Sequence, residues 1–145
     1  MLLPGEAFPR YTAPRSEDVS KKRSKQRALA GVLGKDLTRR SRGRCELCEQ
    51  RHEVRVFELA PFPEQPDPER ALMACARCRG WLDAGTLDPV QAHFLGTAIW
   101  SQQDPVRLAA ARLLLTERVD EAWVTEALEY ADVNPKTGEF RHPPA

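Results

Sequence analysis

Cys45-Glu46-Leu47-Cys48 and Cys75-Ala76-Arg77-Cys78 hold all four cysteines of the chain in two C-x-x-C pairs, with 26 residues between them. In a reducing compartment thiols persist and structural disulfides do not, so two such pairs in one small chain read as a tetrahedral four-cysteine metal site. A two-residue gap lets both sulfurs of one tight turn reach the same ion at about 2.3 Å, the Zn–S distance. Arg42, Arg44, Arg77 and Arg79 flank the pairs, where positive charge favours thiolate and offsets the net −2 of a zinc tetrathiolate. A thioredoxin-like redox pair would need a single reactive C-x-x-C after a βα unit, a pattern not found here. A rubredoxin-type iron centre has similar ligand spacing, but no other feature points to electron transfer. The cofactor expected is Zn2+, held by Cys45, Cys48, Cys75 and Cys78.

Between the pairs, Glu53-Val54-Arg55-Val56-Phe57-Glu58-Leu59 alternates polar and apolar residues and predicts a strand, with Val54, Val56 and Phe57 serving the core. Four prolines in Ala60–Pro68 predict a loop, and Ala71-Leu72-Met73-Ala74 a short second strand. Arg79-Gly80-Trp81-Leu82-Asp83 then opens a helix. Knuckle, hairpin and second knuckle at a helix start is the order of a zinc treble clef, and a zinc ribbon shares all but the last element.

Upstream, residues 1–19 have no clear period and read as a flexible arm. From Ser20 to Arg44 ten Lys or Arg residues stand against one acid, Asp36. Leu29, Leu33 and Leu37 recur there at helical spacing with Ala28, Ala30 and Val32, which predicts a helix from about Ser24 to Arg40. Downstream, Asp88-Pro89 and Asp104-Pro105 each look like an N-cap followed by proline at the first helical position. The first opens a stripe of Val90, Phe94, Leu95, Ala98 and Ile99 ending at Trp100; the second opens Val106, Ala109, Ala110, Leu113 and Leu114. A third helix, roughly Asp120 to Ala131, turns Trp123, Val124, Ala127, Leu128 and Ala131 inward, and Glu121, Glu126 and Glu129 outward. The tail from Glu139 reads as loose. The expected architecture is α+β: an arm over residues 1–19, a basic helix plus four-cysteine zinc module over 20–86, a three-helix segment packed on it over 87–133, and a tail over 134–145.

The chain has 145 residues and a formal net charge of +1, which conceals a division. Residues 1–55 carry 14 basic and 7 acidic residues, net +7, and residues 56–145 carry 8 and 14, net −6. Lys21, Lys22, Arg23, Lys25, Arg27, Lys35, Arg39, Arg40, Arg42 and Arg44 form a candidate phosphate-binding set, extended by Arg51 and Arg55, and the expected partner is DNA or RNA. The alternative is a protein-interaction adaptor whose acidic C-terminal helices meet a basic partner or the chain's own arm. Trp81, Trp100 and Trp123 are expected in the core rather than as base-stacking platforms. No stretch approaches the roughly 18 apolar residues of a membrane span, and the first residues lack a basic and then apolar leader, so the expectation is a cytoplasmic protein without a membrane partner.

The ordered set of Leu37–Cys48 (LTRRSRGRCELC), VRVFELAPFPEQPD, LMACARCRGWLD and HFLGTAIWSQQDPVRLAAARLL resembles the N-terminal part of PhnA-like proteins, named after an alkylphosphonate-utilisation operon. The likeness runs over about residues 26–132 and implies zinc at the same four cysteines. The long basic N-terminal arm is not part of the family pattern, and phosphonate chemistry is not carried over. The treble clef is also the scaffold of HNH nucleases, which need a general-base His on the strand after the first knuckle and metal-ligating His or Asn on the helix that follows. Here the strand position holds Phe57-Glu58 and the helix has Arg79, Trp81 and Asp83. The histidines are His52, His93 and His142, scattered along the chain, and a catalytic role is disfavoured.

Overall fold

The computed structural model describes residues 33–116 and 121–142. The first described element is helix α1 (Gly34–Ser41), which turns Leu37 inward together with the preceding Leu33. Asp36 in its first turn and Arg39 and Arg40 in its last suit the helix dipole. It stops at Arg42, left-handed at φ 59°, and Gly43 continues the reversal at φ 74°. The end expected at Arg40 thus falls within a residue, while Ser24 to Val32 of that expected helix, and residues 1–19, lie outside the described residues.

Strands β1 (Arg55–Glu58) and β2 (Ala71–Ala74) pair antiparallel, Arg55 opposite Ala74 and Glu58 opposite Ala71. The proline-rich loop between them ends in a one-turn 3-10 helix, Pro68–Arg70, capped by the Asp67 carboxylate, which accepts from the Glu69 amide at 2.9 Å. Ala71 and Met73 pack with Leu33 and Leu37, and partly with Val54 and Val56, on one face of the sheet. Phe57, Leu59, Leu72 and Ala74 join the main core on the other. Both faces are therefore covered. For that reason β2 is buried at all four positions, and the alternation expected of β1 gives way to consecutive burial of Phe57, Glu58 and Leu59.

Helix α2 (Ala76–Ala84) follows directly on Cys75 and ends at Gly85, whose φ of 67° and amide bond to the Trp81 carbonyl at 2.9 Å turn the chain out of the helix. The single helix expected from Asp88 to Trp100 is replaced by two short pieces, a 3-10 turn at Pro89–Gln91 and helix α3 (Leu95–Ala98). The Asp88 carboxylate takes both the Val90 amide (3.0 Å) and the Gln91 side-chain amide (2.8 Å), which closes the first turn on itself. Leu95, Gly96 and Thr97 then bond three residues back, to Ala92, His93 and Phe94, so no continuous α ladder forms. Leu95, Ala98 and Ile99 are buried as the stripe requires, but Val90 is 85% exposed and Trp100 is 43% exposed, against expectation.

Helix α4 (Asp104–Thr116) is the central element and buries residues on nearly every side; α5 (Ala122–Ala131) packs against it and ends at Asp132 in the left-handed region, φ 59°. Trp81 and Trp123 lie partly buried against the core. The tail expected to be loose is fastened where it starts. Val133 bridges Phe140, and the Glu139 carboxylate receives Arg70 (3.0 Å to each oxygen) and Arg112 (2.9 Å). Arg112 also donates to the Gly138 carbonyl at 2.7 Å. These partners are 69 and 27 residues away from Glu139 in sequence, which is why no local signal foretold the contact.

Candidate metal centre

The first knuckle is a tight turn built on backbone bonds. The Cys45 amide donates to the Gln50 carbonyl and the Glu49 amide to the Cys45 carbonyl, both at 2.9 Å. Glu49 takes a left-handed φ of 68° to close it. The backbone amides of Cys48, Cys75 and Leu47 help to lower the Cys45 thiol, and that of Gln50 acts in the same direction on Cys48. The second knuckle is the start of α2: Cys75 sits at the cap position and Cys78 in the first turn.

Together the knuckles place the four sulfurs, all unbridged, within 4.8 Å of one another, Cys48 and Cys75 at 3.6 Å. Four sulfurs around an ion at the Zn–S distance of about 2.3 Å would stand about 3.8 Å apart. The cluster therefore fits a tetrahedral metal ion with four protein ligands. Cys45, Cys75 and Cys78 are buried, and Cys48 is partly exposed. No other group of three or more His, Cys, Asp or Glu residues among the described residues could hold an ion.

Proton sharing inside the cluster is uneven. A hydrogen bond from Cys78, above all, holds the Cys45 thiol down at about 5, against the opposing effect of burial. The same bond pushes Cys78 far up, and burial pushes Cys48 up to about 11. Without a metal, then, the cluster favours thiolate at Cys45 and the protonated thiol at Cys48 and Cys78. An ion has to displace those protons to be bound by all four sulfurs.

Two arginines beside the second knuckle have different work. Burial alone would lower the pKa of Arg77, but its hydrogen bond to Cys48 and the nearby cysteine charges raise it. Its guanidinium lies 5.0 Å from the Trp81 ring centroid and 5.2 Å from that of Phe94, two rings stacked within 5° of parallel. Arg79 donates to the Ala74 carbonyl (3.1 Å) and the Glu53 carbonyl (2.7 Å), fixing the end of β2 and the segment leading into β1 to α2.

Arg40, one of the cations expected to meet phosphate, is fully engaged within the fold. It forms a two-pronged pair with Glu46 (2.7 and 2.8 Å) and also donates to the carbonyls of Pro68 (3.2 Å) and Ala71 (3.0 Å). Glu46 in turn exchanges two bonds with Met73: its amide donates to the Met73 carbonyl and its carboxylate accepts from the Met73 amide, each 2.8 Å. Lys35, Arg39, Arg42 and Arg44, with Arg51 and Arg55, are exposed. None of the six pairs with a described acid; the ion pairs of arginines with described acids belong to Arg40, Arg70, Arg107 and Arg112. Lys21, Lys22, Arg23, Lys25 and Arg27 lie outside the described residues. His52, His93 and His142 are exposed and none belongs to the cysteine group, and Phe57 and Glu58 are buried in the hairpin.

The Arg40–Glu46 pair and the Arg77–Trp81–Phe94 stack were not apparent as pairings in the sequence, because each depends on how the hairpin folds back on a helix. No described helix is long and apolar enough to cross a membrane. No family model, curated protein or solved structure matches the chain.

Proposed function

We propose that Cys45, Cys48, Cys75 and Cys78 hold one zinc ion in a structural role, and that the module so stabilised is a treble clef carrying a basic face for DNA or RNA. The four-sulfur cluster carries this reading. Four thiolates fill a tetrahedral site and leave no position for a water or substrate, the pattern of structural rather than catalytic zinc. The treble clef form is favoured by the order of knuckle, hairpin and a second knuckle at a helix start. Kinship with PhnA-like proteins belongs to the same proposal, without any phosphonate activity, and so does a reducing, cytoplasmic setting in which the thiols persist.

The nucleic-acid reading is supported by Lys35, Arg39 and Arg42, which follow one another at helical spacing along α1 and its end, and by Arg44 just beyond. All four are exposed and pair with no described acid. Such a face contacts phosphates and not base edges, so affinity should fall steeply with salt and depend little on sequence. The test is a salt series against single- and double-stranded DNA and RNA. Changing Lys35, Arg39, Arg42 and Arg44 to Glu should abolish binding at low salt, with the zinc content unchanged. Absence of binding by the wild-type chain at low salt would overturn the nucleic-acid reading and leave the zinc site standing.

A further inference from the structure

At the helical end, Trp100 and Tyr130 form an exposed aromatic pair. Their ring centroids are 4.5 Å apart with planes tilted by 44°, yet Trp100 is 43% and Tyr130 53% exposed. The pair joins the residue two places after α3 to the last turn of α5. Large rings with few rotatable bonds lose little conformational entropy on binding, and Trp and Tyr are the residue types that most often anchor interfaces.

The surrounding charge says what such a surface would accept. Glu126 lies one helical turn before Tyr130 on the same face of α5 and Glu129 is adjacent in sequence; both are exposed, and neither pairs with a described cation. Arg107, the cation bonded to the Ser101 carbonyl at 3.2 Å, is already committed to Asp104 and lies over the Phe140 ring. Electron-rich ring faces attract cations, and the carboxylates add to that attraction while repelling phosphates. We propose that Trp100 and Tyr130, with Glu126 on the same face of α5, form a docking site for a Lys- or Arg-rich segment of a partner protein. The proposal develops the adaptor alternative and is independent of the nucleic-acid reading, which uses cations on α1 and not these helices.

The experiment titrates the full zinc-loaded chain into a fluorescein-labelled peptide of six arginines at low salt, without nucleic acid, and reads anisotropy. Wild type and Tyr130→Phe should bind alike. Trp100→Ala and Tyr130→Ala should each weaken binding about fivefold or more, and Glu126→Gln with Glu129→Gln should do so as well. A peptide of six glutamates should not bind. Circular dichroism checks that the variants fold, and because these side chains are exposed the substitutions disturb little of the core. Equal affinity of Trp100→Ala and wild type would overturn the proposal. So would peptide binding that the wild type lacks and that appears only once Lys21, Lys22, Arg23, Lys25 and Arg27 are changed to Glu, which would make the chain's own segment the occupant.

Discussion

From Leu33 to Leu87 the chain encloses its cysteines with two four-residue strands and two short helices, and polar ties join these pieces: Arg40 to Glu46, Arg79 to two carbonyls, Glu46 to Met73. From Ala92 to Val133 the joining is apolar, and α4 buries nine of its 13 residues. A two-stranded hairpin is marginal in water by itself, whereas a helix buried along its length draws stability from packing at roughly 25 cal/mol per Å2. The first region thus depends on its sulfur cluster in a way that the second does not. The two share one apolar core, so the difference lies in what fails first, and each of the following measurements probes it.

The largest effect should come from removing the metal. Structural zinc contributes about 10–16 kcal/mol of apparent binding energy near neutral pH, much of it spent on folding. Chelation should erase amide-exchange protection in the knuckles, β1 and β2 and leave protection in α4. Unchanged protection in the hairpin would show that the cluster is not a folding element. The affinity should also depend on pH. Cys48, raised to about 11, and the still higher Cys78 must shed protons to bind, while Cys45, at about 5, is already a thiolate in the neutral range. Affinity therefore rises with pH, by about tenfold per unit for each proton shed. A chelator-competition titration from pH 6 to 8 reads this, and a flat profile would contradict it.

Leu108→Ala should do the reverse of chelation. Leu108 is fully buried in α4, so the cavity should cost about 2–5 kcal/mol in denaturant unfolding, with one zinc per chain retained. A smaller loss is expected of Glu46→Gln: about 1–3 kcal/mol, since one charged hydrogen-bond network is weakened at a nearly buried site. That loss should appear as faster exchange at Met73 and in α1, not in α5. Smallest, and of opposite sign, is Glu49→Gly. The left-handed φ of 68° is strained for glutamate and open to glycine, so a gain of up to about 1 kcal/mol should appear in zinc-loaded protein.

The sequence revealed what depends on neighbours along the chain. Two C-x-x-C spacings foretold four sulfurs in one place, and Ala71–Ala74 stood out as a short strand. The stripe from Val90 to Trp100 misled because an apolar period says nothing about whether the backbone ladder forms. Asp88 captured the first turn, and the two ends of the stripe were left in solvent. Glu139 and Arg40 were illegible for another reason. A charged residue met in sequence looks solvated until the fold brings its partner beside it, and their partners sit across the hairpin and α4. The Arg77 stack lay between these cases, since the charge beside the knuckle was foreseen and its two rings were not.

The exchange between Glu46 and Met73 has a bearing on solubility. In β2 the Met73 amide and carbonyl face away from β1, and Glu46 occupies both, while Arg40 occupies the carbonyl of Ala71. A strand edge left bare is a template on which a second chain can add a strand and begin to aggregate. Here a side-chain carboxylate, a backbone amide and a guanidinium occupy the places that an intruding strand would take. The pair between α1 and the first knuckle therefore keeps a two-stranded sheet from growing, a service as useful in a crowded solution as its contribution to stability.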